Sequence, residues 1–261
     1  MTVAPPQPKR RLVLLGASNL TRAMGTVVDI TGGMWNEPRD ILFALGNGRS
    51  YGMWSNLLGR GLPSILHCGI WDALERRPSL PTTALVTDIG NDILYHAPVV
   101  QIAEWIERCL DRLRRAGART VITGLPVCNL ARLSRRRFLF FRTLFMPFCR
   151  LSLAEVVDRT HQLNERIERM AGERGVLVIQ QEHWYGSDPI HIRMRQWGPA
   201  WRQILAPWTD DATAFSNGSK RLVVGLRLHL LSPAERTLFG ARLHRSQPCA
   251  RWPDGTTISI Y

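Results

Sequence analysis

Apolar and polar residues follow two alternating patterns between residue 11 and about residue 192. Short, continuously apolar runs, typical of strands buried on both faces of a sheet, alternate with longer segments of helical periodicity. We predict strands at residues 12–15, 40–45, 64–70, 84–89, 120–122 and 176–179. Strands that alternate with helices are joined by right-handed crossovers, and they form a mostly parallel sheet covered on both faces. The pattern therefore predicts an α/β fold.

Two long segments carry apolar residues at helical spacing. The first, residues 97–116, precedes Gly117, and glycine commonly ends a helix because it adopts the left-handed conformation without strain. The second, which includes Leu163, is predicted to end at Gly172 or Gly175. Helices of this length suit the crossover connections between parallel strands.

Residues 112–154 depart from this alternation, because they contain ten arginines and no acidic residue. The phenylalanines interleaved with these arginines are Phe138, Phe140, Phe141, Phe145 and Phe148. Three interpretations stay open for the segment. It is an irregular connection whose rings pack on the core, a mobile cover over a hydrophobic site, or a peripheral contact with anionic lipid.

The alternation of strands and helices stops after residue 192. A Trp-rich stretch follows, and the turn sequence at residues 253–255 precedes a closing strand at residues 256–260. We therefore expect residues 1–195 to form the α/β domain and residues 196–261 to form a C-terminal extension packed on its core.

Length and composition fit one globular domain. The chain has 261 residues, of which 45% are hydrophobic and 21% charged, and these values exclude wholesale disorder. The net charge is +13 and comes almost entirely from arginine, since Lys9 and Lys220 are the only lysines. A basic surface suits nucleic acid, anionic lipid or an acidic substrate, but a general preference for arginine produces the same composition. The charge therefore does not decide the function.

The cysteines and the apolar segments exclude several classes of protein. The five cysteines show no C-x-x-C spacing, which argues against a disulfide framework and against a zinc site. The N-terminal apolar run is too short for a signal peptide, and Arg142 and Pro147 interrupt the most apolar window. We expect a cytoplasmic protein without a metal ion or cofactor.

Two candidate groups follow the first two predicted strands. Ser18 lies where a strand turns into a helix, and there the helix N-terminus directs backbone N–H groups at an anion. An ordinary helix-capping serine has the same pattern. Gly48 lies in a glycine-rich turn after the second strand, where a backbone N–H is able to face an oxyanion, although a simple turn is the alternative.

Two further segments complete the candidate chemistry. Asn91 follows the fourth strand and is able to donate its amide into the same cleft, or else forms an Asx turn. Asp188 precedes His191 by three residues, so its carboxylate is able to reach the imidazole Nδ1. A serine nucleophile needs such a base, and the base needs a group that holds its tautomer. The same spacing suits a metal-binding pair, but the chain offers no third ligand at a sensible spacing.

In chain order, these four segments resemble the signature blocks of the SGNH (GDSL-type) hydrolase family, over residues 11–192. The resemblance implies a three-layer α/β/α, flavodoxin-like fold and a serine esterase that acts on a small-molecule ester. It implies Ser18 as the nucleophile, His191 as the general base and Asp188 as the partner that orients the base.

The same resemblance implies that the backbone N–H groups of Ser18 and Gly48 and the Asn91 side chain bind the oxyanion. Two positions differ from the family's usual blocks: Ala17 replaces an acidic residue, and Gly90 stands one place closer to Asn91. Gly46 is an alternative to Gly48, but the residues after Gly48 match the family better.

Three other functions fit parts of the sequence. An O-acyltransferase would use the same site and pass the acyl group to an alcohol instead of water. A basic binding protein with an inactive site would use residues 112–154 to bind nucleic acid or anionic lipid. A phosphate loop at residues 46–48 is weaker, because neither G-x-G-x-x-G nor G-x-x-x-x-G-K-[ST] is present. Nucleic acid is not the expected partner.

Overall fold

The structure, a computed structural model, describes residues 6–57, 59–181, 183–186, 188–209 and 228–261. Eleven strands occur in this part of the chain. They are β1 (Arg10–Leu15), β2 (Arg39–Ala44), β3 (Ser55–Leu57), β4 (Arg60–Leu62), β5 (Thr82–Val86), β6 (Arg119–Thr123), β7 (Leu177–Ile179), β8 (Glu235–Leu238), β9 (Ala241–His244), β10 (Ala250–Arg251) and β11 (Thr257–Ile260).

Helices connect most of these strands. They are α1 (Ser18–Trp35), α2 (Ile70–Arg76), α3 (Asn91–Leu94), α4 (Val99–Arg115), α5 (Val127–Ala131), α6 (Arg135–Phe145), α7 (Leu153–Glu173) and α8 (Trp197–Leu205). The prediction for residues 97–116 is confirmed by α4, and Gly117 after it has a φ of 68°. The second predicted helix is confirmed by α7, which ends shortly before Gly175, where φ is 64°.

The central sheet has seven strands in the order β10-β11-β2-β1-β5-β6-β7. All neighbouring pairs are parallel except β10 and β11. At the carboxyl edge, Leu15 of β1 pairs with Ala44 of β2 and with Val86 of β5. The loops that follow these three strands therefore meet at one edge of the sheet. A second, four-stranded sheet has the order β3-β4-β8-β9.

Helices cover both faces of the central sheet. Successive residues of a strand point to opposite faces, and β1 follows this rule. Leu12 and Leu14 pack in a core with α1 and α8. Val13 and Leu15 pack in a separate core with α2, α4 and α7. The predicted three-layer α/β/α fold with a mostly parallel sheet is confirmed.

The predicted strand at residues 64–70 is wrong. This segment contains a 3-10 turn, Ile65–His67, and the first residue of α2. The Ile65 and Leu66 N–H groups donate to Ser50 and Tyr51 carbonyls of the preceding loop, at 3.0 and 2.9 Å, instead of to a neighbouring strand. Both side chains are buried, so burial explains the apolar run, and a short apolar run does not distinguish a strand from other buried backbone.

The Arg- and Phe-rich segment is largely ordered into the end of α4, β6, α5 and α6, so the interpretation as an irregular connection is wrong. Its rings do not all pack on the core: Phe138 is 5% exposed, whereas Phe140 and Phe148 are 63% and 90% exposed. The side chain of Phe145 lies outside the described residues. Peripheral contact of this segment with anionic lipid stays a prediction.

The C-terminal residues contribute one helix to a layer beside the central sheet and one parallel strand to the sheet itself. Helix α8 packs beside α1 through Trp201, which is fully buried. Strand β11 extends the central sheet by pairing with β2, with Ile258 opposite Ile41. The proposed division between residues 195 and 196 stays a prediction, and residues 210–227 lie outside the described part of the chain.

Candidate functional site

Ser18 is the first residue of α1. Gly16, two residues earlier, is the first residue after β1. The turn is tight: a Cβ on Gly16 would lie 2.7 Å from Cγ2 of Thr87 and 3.0 Å from Leu20. Glycine is therefore needed at position 16 for α1 to start so close to the sheet. Ser18 itself is 8% exposed.

Asp88 supplies the cap that the start of α1 otherwise lacks. Ala17, the N-cap residue, has no side chain that accepts a hydrogen bond. The Asp88 carboxylate instead accepts from the Ala17 N–H at 2.8 Å and from the Leu20 N–H at 3.1 Å. Asp88 is the second residue after β5 and has a φ of 60°, a conformation that aspartate tolerates better than most residues. The Asp88 carboxylate therefore lies at the start of α1, where Ala17 has no carboxylate of its own.

Asn19 joins the Ser18 turn to the loop that carries His191. Its Nδ2 donates to Asp88 Oδ1 at 2.8 Å and to the Ile190 carbonyl at 3.1 Å. Its Oδ1 accepts from the Ile192 N–H at 2.8 Å. The residues on both sides of His191 are thus hydrogen-bonded to the side chain next to Ser18. The sheet edge brings together two segments that are about 170 residues apart in the sequence.

His191 and Asp188 form a hydrogen-bonded pair. The distance between His191 Nδ1 and Asp188 Oδ2 is 2.7 Å, and Asp188 Oδ1 accepts from the Ile190 N–H at 2.9 Å. Partial burial acts to raise the pKa of Asp188, but the hydrogen bonds from the His191 side chain and the Ile190 N–H outweigh it. The pKa of this carboxyl therefore lies below its ordinary value. Ser187, which belongs to the same sequence segment, lies outside the described residues.

Asn91 begins α3 and is 8% exposed. Its Nδ2 is buried and has no hydrogen-bond partner among the residues that the structure describes. A buried amide without a partner is costly, at about 1–3 kcal/mol. A bound group that accepts a hydrogen bond would remove this cost, which makes Asn91 a candidate donor at the site.

Gly48 lies in the turn after β2 with a φ of 65°. The Tyr95 hydroxyl donates to the Gly48 carbonyl at 2.5 Å, and a Cβ on Gly48 would lie 3.0 Å from that same hydroxyl oxygen. Burial, with a further contribution from the Asp92 charge, raises the pKa of Tyr95 to about 12, so the donor stays protonated. Tyr95 thereby fixes the peptide unit between Gly48 and Arg49, which follows the peptide unit that carries the Gly48 N–H.

Asp92 connects the Asn91 segment to the loop after Gly48. Its Oδ2 accepts from the Tyr51 N–H at 2.9 Å, and the Tyr51 hydroxyl donates to the Thr87 carbonyl at 2.7 Å. Burial raises the pKa of Asp92 to about 6, although hydrogen bonds from Ser50 and from the Tyr51 N–H act in the opposite direction. The loops that carry Gly48 and Asn91, two of the three predicted oxyanion donors, are therefore held together by buried polar contacts.

Two open spaces adjoin these residues. A cavity of about 100 Å³ is lined by Ser18 and Asn91 at one end. Its apolar walls include Leu94, Leu125, Leu130, Phe138, Phe141 and Met146. A separate pocket is lined by Asp188 and His191 together with Arg22 and Arg193. The loop of residues 188–192 contributes to both spaces.

The likeness to known proteins lies in the three-dimensional fold. No protein-family model matches the sequence, and no curated protein matches it. Est24, a carbohydrate acetylesterase from Sinorhizobium meliloti, is similar with a TM-score of 0.55 at 12% identity, over 76% of this chain and 98% of that one. A putative arylesterase from Agrobacterium tumefaciens str. C58 gives a TM-score of 0.53 at 13% identity, over 76% and 98% of the two chains.

A third similar structure is the aryl esterase of M. smegmatis, with a TM-score of 0.52 at 11% identity, over 75% of this chain and 99% of that one. The chain has the fold of the SGNH hydrolases. The fold that the sequence resemblance implied is therefore confirmed. At these identities the likeness concerns the SGNH fold alone, and the roles of individual residues stay predictions.

The predicted residues follow strands at the carboxyl edge of the sheet, but Ser18 and His191 line different spaces, and Gly48 lines neither of them. Ser18 and Asn91 line the cavity, and Asp188 and His191 line the adjoining pocket. Gly48 is tied to Tyr95, one turn beyond Asn91. Among the described residues, no group of three or more His, Cys, Asp and Glu side chains is arranged to hold a metal ion. None of the described helices is long and apolar enough to cross a membrane.

Sequence reasoning missed two residues that organise this candidate site, Asn19 and Asp88. Asn19 directly follows Ser18, and Asp88 stands three residues before Asn91. The sequence signal for Asp88 was that Ala17 has no carboxylate. An acidic residue that follows a neighbouring strand is able to accept hydrogen bonds from the start of α1 in its place. The partners of Asn19 lie about 70 and 170 residues away in the chain, so only the fold reveals them.

Proposed function

We propose that this chain is a serine esterase that cleaves carboxylic esters through an acyl-enzyme on Ser18. The observation that carries the proposal is the Asn19 bridge, which ties the Ser18 turn to the residues on both sides of His191. The Asp188–His191 hydrogen bond of 2.7 Å adds the orienting group that a histidine base requires. The similar folds of known esterases support the same reaction class.

In the first half of the proposed reaction, the Ser18 oxygen attacks the carbonyl carbon of the ester. The hydroxyl proton passes to Nε2 of His191, since Nδ1 faces Asp188. The carbonyl oxygen takes the negative charge of the tetrahedral intermediate. When the bond to the leaving oxygen breaks, that oxygen receives the proton from His191 and departs as the alcohol.

In the second half, water attacks the acyl group on Ser18 and gives its proton to His191. A second tetrahedral intermediate collapses, the carboxylic acid leaves, and the proton returns to the Ser18 oxygen. Asp188 stabilises the imidazolium form of His191 in both halves and fixes its tautomer. Its low pKa keeps it ionised at neutral pH, as this role requires.

The oxyanion is bound in this proposal by Asn91 Nδ2 and the backbone N–H groups of Ser18 and Gly48. The buried, unpartnered amide of Asn91 supports this role. The start of α1 adds the partial positive charge of a helix N-terminus. Donors placed in advance cost no reorganisation during the reaction, and each contributes on the order of 10²–10³ in rate.

The proposal is tested by hydrolysis of p-nitrophenyl butyrate with Ser18→Ala and His191→Ala. Both variants are expected to lose measurable turnover while keeping the wild-type melting temperature within a few degrees. Ser246→Ala and His244→Ala are matched controls, because both replaced residues are exposed and distant in sequence from the site. Turnover at the wild-type rate in Ser18→Ala would contradict the proposal.

A further inference from the structure

The two open spaces beside the proposed site touch different members of it. The cavity is lined by Ser18 and Asn91 but not by His191. The pocket is lined by His191 and Asp188 but not by Ser18. An ester bound at Ser18 has two arms, the acyl chain and the alcohol, and the site offers a separate space for each.

The proton transfer decides which arm enters which space. In the proposed reaction, the leaving oxygen receives its proton from His191, so the alcohol must lie on the His191 side. The acyl carbon stays bonded to the Ser18 oxygen, with its oxygen directed at Asn91. The acyl chain therefore extends away from His191, into the cavity that Ser18 and Asn91 share.

The walls of this cavity suit a hydrocarbon chain. The lining includes Leu125 and Leu130, Phe138 and Phe141 of α6, and Met146 directly after α6. Phe138 is only 5% exposed, although it belongs to a helix whose Phe140 is 63% exposed. One face of α6 is thus turned toward the cavity and the other toward solvent.

The polar side chains in the walls already have partners. The Thr160 hydroxyl donates to the Val156 carbonyl at 2.7 Å, and Gln181 Oε1 accepts from the Tyr185 hydroxyl at 2.5 Å. Arg142 donates to the Leu151 carbonyl at 3.0 Å, and its guanidinium carbon lies 5.8 Å from the centre of the Phe138 ring. These groups close the cavity without adding a polar recognition site, and Arg142 holds α6 over it.

We propose that this cavity is the acyl pocket, that the substrate carries a hydrocarbon acyl chain longer than acetyl, and that the inner face of α6 selects its length. The inference rests on the proposed esterase function. An acetyl group has no methylene to place against Phe138, Phe141 or Leu130. Each added methylene buried in an apolar site favours binding in the transition state by about fourfold, until the cavity is full.

The test compares p-nitrophenyl acetate, butyrate, hexanoate and octanoate as substrates of the full chain. We expect kcat/KM to rise by about fourfold per methylene from acetate to at least butyrate. Two variants change the cavity in opposite directions. Leu130→Trp narrows it and should lower the hexanoate-to-acetate ratio of kcat/KM about tenfold or more, and Phe141→Ala widens it and should move the preferred chain to greater length.

Matched controls make the same substitutions outside the cavity. Phe148→Ala alters a ring that is 90% exposed, and Leu243→Trp alters a side chain of β9 that is 38% exposed. Both controls should keep the wild-type ratios. Leu130 and Phe141 are partly exposed, so both variants are expected to fold, which circular dichroism would verify.

The outcomes separate this inference from the function on which it rests. Labelling of Ser18 by a fluorophosphonate, together with acetate as the best substrate or with ratios unchanged in both cavity variants, would overturn the acyl pocket and leave the esterase. Absence of labelling and of turnover with every ester would overturn both. Opposite shifts of the preferred chain length in Leu130→Trp and Phe141→Ala would support the pocket.

Discussion

The Asn19 bridge makes a prediction about both stability and catalysis. Asn19→Ala removes three hydrogen bonds, to Asp88 Oδ1, to the Ile190 carbonyl and from the Ile192 N–H. Asn19 is 7% exposed and Ile192 is 3% exposed, so water does not readily replace the lost partners. The loop that carries His191 then loses its attachment to α1.

The expected loss of stability follows from these three contacts. An Ile192 N–H left buried without a partner costs about 1–3 kcal/mol, and the hydrogen bond to the Asp88 carboxylate contributes at the upper end of the usual range. Asp88 retains the Ala17 and Leu20 N–H groups, which limits the effect. We expect the free energy of unfolding to fall by about 2–4 kcal/mol in total.

The catalytic effect is expected in kcat. A displacement of about 1 Å between a nucleophile and its base lowers the rate about 10²-fold, whereas the substitution leaves the leucine and phenylalanine side chains of the cavity walls in place. Steady-state kinetics with p-nitrophenyl butyrate should therefore show a large fall in kcat and little change in KM. Urea unfolding measured on the same preparations supplies the stability.

Asn56→Ala is the control for this experiment, because Asn56 is an exposed asparagine of β3. It should leave both kcat and the free energy of unfolding within error of the wild type. A wild-type kcat in Asn19→Ala, with the loss of stability present, would refute the positioning role of Asn19. An unchanged stability would refute the contacts themselves.

Two further predictions concern the α3 segment. Asn91→Ala should lower kcat on the order of 10²–10³-fold with little change in KM, because its amide acts mainly in the transition state, and an unchanged kcat would contradict this. Asp92 has a pKa of about 6 in the folded chain against an ordinary value of 3.8, so its contribution to stability is full below pH 4 and is lost as the pH rises through 6. Relative to that of the wild type, the free energy of unfolding of Asp92→Asn in urea should therefore rise by about 2 kcal/mol between pH 4 and pH 8, and a difference independent of pH would contradict the buried carboxyl.

The central strands were predictable because their chemistry is local. β1, β2 and β6 are short apolar runs buried on both faces, and the periodicity of α4 and α7 appears directly in the sequence. The predicted strand at 64–70 failed because Ile65 and Leu66 are as apolar and buried as strand residues, while their N–H groups donate to a loop. A short apolar run occurs both in paired strands and in other buried backbone, so its sequence alone does not distinguish them.

The candidate site residues were predictable from the sequence, but the residues that hydrogen-bond to their loops were not. Ser18, Asn91, Asp188 and His191 stand in recognisable segments at strand ends. Asn19 and Asp88 act through partners that are distant in the chain, so their importance depends on which loops meet at the sheet edge. The division of α6 into an inner and an outer face follows likewise from its packing against the cavity.

The most direct test of the account is to locate a covalent adduct. The wild-type chain is treated with a fluorophosphonate, digested, and analysed by peptide mass spectrometry, with His191→Ala treated in parallel. We expect one adduct, on Ser18, and a reaction at least 10²-fold slower in His191→Ala, because the base that takes the hydroxyl proton is gone. An adduct on another residue, or an equal rate of labelling in His191→Ala, would contradict the claim that Ser18 is the nucleophile activated by His191.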